Sequence, residues 1–249
     1  MSKLPLSSAS HIALVRRAKW RDFIEFVDRH QQSNWIFRGV ADAAEHALVP
    51  KVGRDGDVYD ETTERVIFAN FKRRARQFVD TSGLNQWDLM ALAQHHGLPT
   101  RLLDWTTNPL VAAYFAVSNL PTDKVARVYA ARAPRLIDVD RIVDPFDCTD
   151  VFAFTPAAVA PRIVAQRGLF TIHPTPTDPW DRGLNSKSKP APPPTSTVFD
   201  IEVRHRTFFE RKLFQLALDA SAIKADLDGV CETLAWQFRR GIAVGRFNY

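Results

Sequence analysis

The stretch Gln94-His95-His96-Gly97-Leu98-Pro99-Thr100-Arg101-Leu102-Leu103-Asp104-Trp105-Thr106-Thr107-Asn108-Pro109, with the apolar run Leu110 to Val117 behind it, decides how this chain is read. A helix through Trp87, Met90 and Ala91 runs into the His95-His96 pair and is stopped by Gly97 and Pro99. Asn108 followed by Pro109 is an N-cap and first-turn pair, so a second, buried helix starts there. Between the two helices, Arg101 and Asp104 sit beside apolar Leu102, Leu103 and Trp105. Charged groups in such company need partners. They are either an Arg101–Asp104 or Arg38–Asp104 ion pair that ties the turn down, or a ligand held in a cleft, and the residues alone leave both open.

Working outward, Trp20, Phe23, Ile24 and Val27 repeat at helical spacing, and a polar turn at His30 to Asn34 leads into the apolar Trp35-Ile36-Phe37. Residues Glu61 to Asp80 place Phe68, Phe71, Ala75 and Phe78 on one helical stripe, with Lys72, Arg73, Arg74 and Arg76 on the other side as a solvated basic face. Ala126 to Ala131 reads as a strand, and Val198 to Val203 alternates with Phe199, Ile201 and Val203 on one face and Asp200 and Glu202 on the other. Thr207-Phe208-Phe209-Glu210 has the form of a capping box, which predicts a helix with Phe209, Leu213, Leu216, Ala217 and Ala220 inward. A last helix runs through Leu234 and Phe238 to Gly241. Helices and strands interleave without regular βαβ spacing, so the expected fold class is α+β, and there is no internal repeat.

Seven of the 16 prolines fall between Thr171 and Ser196, which predicts a surface loop with polyproline character at 171–196. The 53 residues after it are few for an independent core, so residues 1–249 are expected to form one domain carrying that loop. No apolar run exceeds eight residues, against the roughly 20 that cross a bilayer, and no secretory signal pattern opens the chain, so a cytoplasmic protein without a membrane partner is expected. Cys148 and Cys231 are too few and too far apart for a disulfide framework or a cysteine metal site. Adjacent His95 and His96 point about 100° apart on a helix, so no metal is expected there either. There is no G-x-G-x-x-G, G-x-x-x-x-G-K-[ST], G-x-S-x-G or H-E-x-x-H signature, and those enzyme classes drop away. The net charge of +5 and pI of about 9.4 suit a polyanionic partner or substrate.

Phe37-Arg38-Gly39, the Gln94-to-Thr106 block, the Pro109-to-Ala116 run, Arg162 with Gln166, Gly168 and Phe170, and Asp226 to Gly229 together resemble the FRG domain. The proline-rich insertion, and Ala225 where a proline is expected before Asp226, are departures from that pattern. The resemblance implies a bacterial or phage-associated protein. More distantly, a strand ending in aromatic-Arg-Gly, a later strand end bearing Thr, and an apolar Ala-x-x-Phe-Ala helix look like the NAD-binding half of the Arg-Ser-Glu class of mono-ADP-ribosyltransferases. That likeness implies a split sheet, NAD as the substrate, and an ADP-ribosyltransferase or NAD glycohydrolase acting as a toxin or antiviral defence effector. A nucleic-acid or protein acceptor and a neutralising partner would follow.

Cleaving NAD develops an oxocarbenium ion at the ribose. The site therefore needs a guanidinium for the pyrophosphate, a hydroxyl for the nicotinamide ribose and a carboxylate beside the cation. Arg38, with Gly39 permitting close backbone approach, is the candidate for the first, and Thr106 for the second. Glu202, Asp104 and Asp228 compete for the third. His96 is placed to hold the nicotinamide or its ribose, and Gln166 and Arg162 to line the acceptor side. The alternative is a nucleic-acid-directed protein, either a metal-independent nuclease on His96, Arg101 and Asp104 or a binder using Lys72 to Arg76. A third reading is an interaction module in which the polar block is purely structural.

Overall fold

The computed structural model describes residues 8–45, 47–157, 164–180 and 196–242. Its α+β framework has six strands, β1 (Trp35–Val40), β2 (Leu102–Thr106), β3 (Ala126–Arg132), β4 (Phe152–Phe154), β5 (Gly168–Ile172) and β6 (Ser196–Ile201). Seven α-helices accompany them among the described residues: α1 (Ser8–Arg29), α2 (Glu61–Ala75), α3 (Gln86–His95), α4 (Pro109–Ser118), α5 (Val203–Gln215), α6 (Ala220–Lys224) and α7 (Leu227–Arg239). The strands pair antiparallel in the order β4-β5-β2-β1-β3-β6.

The pairing is uneven. β1 aligns with β3 along all six of its residues, and β2 with β5 along all five, but β1 and β2 meet in register only at Phe37 opposite Thr106. The β4-β5-β2 and β1-β3-β6 parts of this one six-stranded sheet are therefore joined by a short seam. One face of each half carries its own core. Phe23, Phe37, Ala112, Ala116, Val128 and Phe209 pack α1, α4 and α5 onto the β1 half, while Phe68, Trp87, Met90, Leu102, Phe154 and Phe170 pack α2 and α3 onto the β2 half. A third cluster, with Ile36, Leu103, Trp105, Tyr129 and Leu48, covers the opposite face across both halves. The two helical layers leave a gap between them above the seam.

Gly39 sets how closely the helical layer sits on β1. A Cβ there would lie 1.8 Å from the carbonyl oxygen of Ala112 and 2.7 Å from the Ala116 nitrogen, so α4 lies directly on the strand backbone. The close approach anticipated at this glycine is thus made by α4. Gly39→Ala must push α4 outward, and it is expected to cost about 1–3 kcal/mol of stability in denaturant unfolding; an unchanged midpoint would show that the helix yields freely.

Several sequence expectations hold in detail. Asn108 accepts from Leu110 N with Pro109 at the first helical position, and α3 ends at His95 before Gly97 at φ +91°. Others are corrected. The helix from Glu61 stops at Ala75, and Phe78 beyond it is exposed, because the arginine-rich last turn has no core to cover. Thr207 lies inside α5, whose N-cap is Glu202, so the capping-box pattern at 207–210 is coincidental and Val203 belongs to the helix. Leu216 and Ala217 lie past its end, Leu216 exposed and Ala217 at φ +58°, and Ala220 opens α6. Thr171 and Ile172 are strand, so the expected loop begins two residues later, and its residues 181–195 lie outside the described residues. Ala225 adopts φ +53° as the cap after α6. Proline, fixed near −65°, cannot take that backbone conformation, which accounts for its absence there.

Candidate active site

Because β1 diverges from β2 beyond Phe37, the Asp104 carbonyl meets a side chain instead of a strand. Arg38 Nη1 donates to it at 2.7 Å and lies 3.5 Å from the Asp104 carboxylate Oδ2. Gln94, in the last turn of α3, donates from Nε2 to Asp104 Oδ1 at 2.7 Å and is held in turn by the Thr100 hydroxyl. The Asp104 side chain is nonetheless 61% exposed. It stands on the floor of a cleft of about 330 Å³ walled by His95, Gly97 and Leu98 from the α3 end and by Phe115 and Asn119 from α4. Lys51 and Arg54, on and beside a 3₁₀ turn at Lys51–Gly53, close the cleft from a third side. Lys51 Nζ donates to the Gly97 carbonyl at 3.2 Å, which ties that turn to the α3 end. Crowding around the Arg54 guanidinium, and then the neighbouring Arg38 charge, lower its pKa, while Asp104 opposes the shift. Asp104 is thus the one carboxylate in a lining that holds three cationic side chains.

The remaining sequence candidates separate. Thr106 lines the cleft, but its hydroxyl donates to the Gln166 carbonyl at 2.7 Å and accepts from Asn108 N at 3.0 Å. Its effect is to fix Gln166 in the wall. Gln166 also donates from Nε2 to the Ile223 carbonyl at 3.2 Å. His96 caps α3 and is exposed outside the lining, where the preceding His95 stands, since one residue turns the helix by about 100°. Arg101 is buried and paired with Glu64 away from the cleft, so His96, Arg101 and Asp104 do not converge as a nuclease set would need. Glu202 sits one residue past β6, bound to Lys19 at 3.3 Å and 3.7 Å from His205, and is not part of the lining. Asp228 is exposed on α7, and Arg162 lies outside the described residues. Lys72 is engaged by Gln86. Sequence reasoning missed Lys51, Arg54 and His95. The basic pair at Lys51 and Arg54 between two turn-forming stretches was a signal, but without periodicity.

On the sheet face that Ile36, Leu103 and Trp105 share, Trp105 Nε1 donates to Thr171 Oγ1 at 2.9 Å, and that hydroxyl is hydrogen-bonded with His173 Nε2 at 2.8 Å. Burial, then the Arg38 charge, push the His173 pKa down to about 3. The unfolded chain takes up this proton near pH 6.5 and the folded one refuses it, so stability is complete above that pH and falls as pH drops toward 3. About 1.4 kcal/mol per pH unit gives a loss of about 2 kcal/mol at pH 5. Denaturant midpoints at pH 7 and pH 5 should show this loss, and His173→Asn should flatten it; an equal slope in the variant assigns the proton elsewhere.

Among the described residues no helix is long and apolar enough to cross a membrane, and no group of three or more His, Cys, Asp or Glu is placed to hold a metal ion. Residues 33–124 match the family model of the FRG domain. The match spans β1 through α4 and so carries every lining residue of the cleft except Gln166, while the resemblance read at Gln166 to Phe170 and at Asp226 to Gly229 lies beyond it. No curated protein and no solved structure matches the chain.

Proposed function

On a chain with an FRG domain over residues 33–124, we propose that the cleft at the strand seam binds NAD and breaks its nicotinamide–ribose bond, as an ADP-ribosyltransferase or NAD glycohydrolase. The observation that carries this reading is Asp104, a solvent-facing carboxylate fixed by Gln94 and Arg38 on the floor of a cleft whose other charged lining groups, Arg38, Lys51 and Arg54, are cations. The seam between β1 and β2 supports the split-sheet likeness, since the halves separate where a substrate would enter.

In the reaction, the C–N bond leaves its electron pair on the nicotinamide nitrogen, and the ribose becomes an oxocarbenium ion. Asp104 stabilises that cation at short range, where the low-dielectric wall makes a carboxylate most effective. Lys51 and Arg54 bind the pyrophosphate as charged donors at the mouth. Arg38 holds the carboxylate in place and neutralises it in the resting state. Its buried Nε has no hydrogen-bond partner in the resting site, so a substrate oxygen would satisfy it. Water or an acceptor nucleophile then attacks the ribose carbon and loses its proton. Thr106 acts through Gln166, and the ribose hydroxyls fall to Gln94 and His95. A toxin or defence role, a neutralising partner and a nucleic-acid or protein acceptor belong to the same reading.

Purified protein incubated with NAD should release nicotinamide, with binding seen by calorimetry. Neither binding nor release, with or without protein and nucleic-acid acceptors, overturns the proposal.

A further inference from the structure

The polar groups of the cleft fall in a fixed order along β2. Lys51 and Arg54 stand before its start, since Val52 N donates to the Thr100 carbonyl at 3.4 Å and Lys51 Nζ to that of Gly97. Asp104 lies at its middle. Gln166 stands at its end, where the hydroxyl of Thr106, the last residue of the strand, holds the Gln166 carbonyl at 2.7 Å. Asp104 and Thr106 share one face of the strand, because side chains alternate with a period of two. A dinucleotide laid along β2 with its pyrophosphate at the two cations and its reacting ribose at Asp104 must place the nicotinamide beyond Asp104, toward Gln166. Two strand residues, about 7 Å, separate Asp104 from Thr106, which is the reach from that ribose across a pyridine ring to its carboxamide.

Gln166 is pinned at both ends. Thr106 grips its backbone carbonyl, and the next residue, Arg167, turns at φ +47° with its own carbonyl bonded by Thr107 N at 3.3 Å. At the far end the side-chain Nε2 donates to the Ile223 carbonyl of α6 at 3.2 Å. A carbonyl neighbour can be met only by the amide nitrogen, so the orientation of the amide is settled. Oε1 accepts no hydrogen bond among the described residues and is not buried. The cleft wall thus offers a fixed acceptor at this point. Little beside it could welcome an anion: the Thr106 hydroxyl proton is spent on the Gln166 carbonyl, Arg38 is engaged by Asp104, and Arg167 is exposed outside the lining. Resting on the assignment of this cleft to NAD, we infer that Gln166 reads the carboxamide of the leaving group. Its Oε1 accepts an N–H from nicotinamide and turns away nicotinic acid, whose carboxylate has no proton to give and sets its lone pairs against those of the wall. Gln166 therefore belongs to the nicotinamide end of the cleft, and the site selects NAD over its acid counterpart, nicotinic acid adenine dinucleotide.

Initial rates of pyridine-base release from the two dinucleotides, with their binding followed by calorimetry, test this assignment on the full chain. The native chain should favour NAD in kcat/KM by at least about tenfold, since a site built to pair one polar group rejects an analogue that leaves it unpaired. Gln166→Leu should lose about three- to tenfold on NAD, the scale of one neutral hydrogen bond, mainly through KM, and should change little on the acid form. The preference then shrinks. A purely structural glutamine would lower both substrates alike and keep their ratio, so the ratio separates the two roles. Gln166→Lys, which sets a cation where the acceptor stood, should move the preference toward the acid form. Equal use of both dinucleotides by the native chain, or a ratio that Gln166→Leu and Gln166→Lys leave intact, overturns the role of Gln166 while NAD cleavage stands. If neither dinucleotide is bound or cleaved, the NAD site and the role of Gln166 fall together.

Discussion

Asp104→Asn should lower nicotinamide release by about 100-fold or more, the scale for removing one electrostatic stabiliser of a developing charge, while the protein melts within a few degrees of the native chain. The separation of effects follows from the geometry. An asparagine carbonyl still accepts from Gln94 Nε2, and the 2.7 Å bond from Arg38 goes to the Asp104 backbone oxygen, which the substitution leaves intact. The lost ion pair spans 3.5 Å with a carboxylate 61% exposed, and such pairs contribute about 0–1 kcal/mol. What disappears is the negative charge facing the cleft. Binding of NAD should survive, because Lys51 and Arg54 are untouched, so the loss should fall on kcat and leave KM nearly unchanged. Glu202→Gln serves as the control. Its carboxylate pairs with Lys19 outside the cleft lining, and release should stay within about twofold of native, well short of the stabiliser scale. Equal losses in the two variants would move the reacting carboxylate away from Asp104.

Much of the frame was legible because local rules and tertiary structure agree there. The Asn108-Pro109 start of α4, the glycine stop of α3, and the apolar repeat of α1 each depend on neighbours within a few residues. The strands β4 and β5 were not read, since three and five residues give no usable period; β5 depends on pairing with β2 across more than 60 residues, and β4 in turn on pairing with β5. Arg38 and Asp104 could be named from their neighbours, and the ion pair weighed for them is present. Two choices depended on orientation: His95 faces the cleft in place of His96, and Arg101 turns inward to Glu64, a partner 37 residues earlier that no spacing rule connects to it. Lys51 and Arg54 reach the site from a turn whose position is set by Gly53 packed against Pro176.

Glu64→Ala should be the most destabilising single change considered, at about 3–5 kcal/mol, because it takes from a buried guanidinium its buried counter-charge and leaves only the longer, half-exposed pairing with Glu61. Arg101 is 1% exposed and grips Glu64 in two places, Nε to Oε1 at 3.2 Å and Nη2 to Oε2 at 2.8 Å. Nη2 also approaches the Tyr59 hydroxyl at 3.1 Å and Glu61 at 3.5 Å, and the guanidinium lies 4.3 Å from the Phe146 ring centre. Burial is the largest influence and opposes the Arg101 charge, but the hydrogen bonds and charge of Glu64, with Tyr59 and Glu61, together outweigh it and raise the guanidinium pKa. A guanidinium is not deprotonated in proteins even when its partner is lost, so with Glu64 removed the penalty falls on the fold. At about 2–4 °C per kcal/mol for a chain of this size, the melting temperature should drop by roughly 6–20 °C. Arg101→Met with Glu64→Leu should recover most of the loss, since a well-packed apolar pair replaces a buried ion pair at little cost. That double variant also decides what Arg101 is for. If the residue only joins α2 to the start of β2, the rescued protein releases nicotinamide at the native rate at temperatures well below its melting point. If it stabilises the reaction directly, restoring the fold leaves the activity lost.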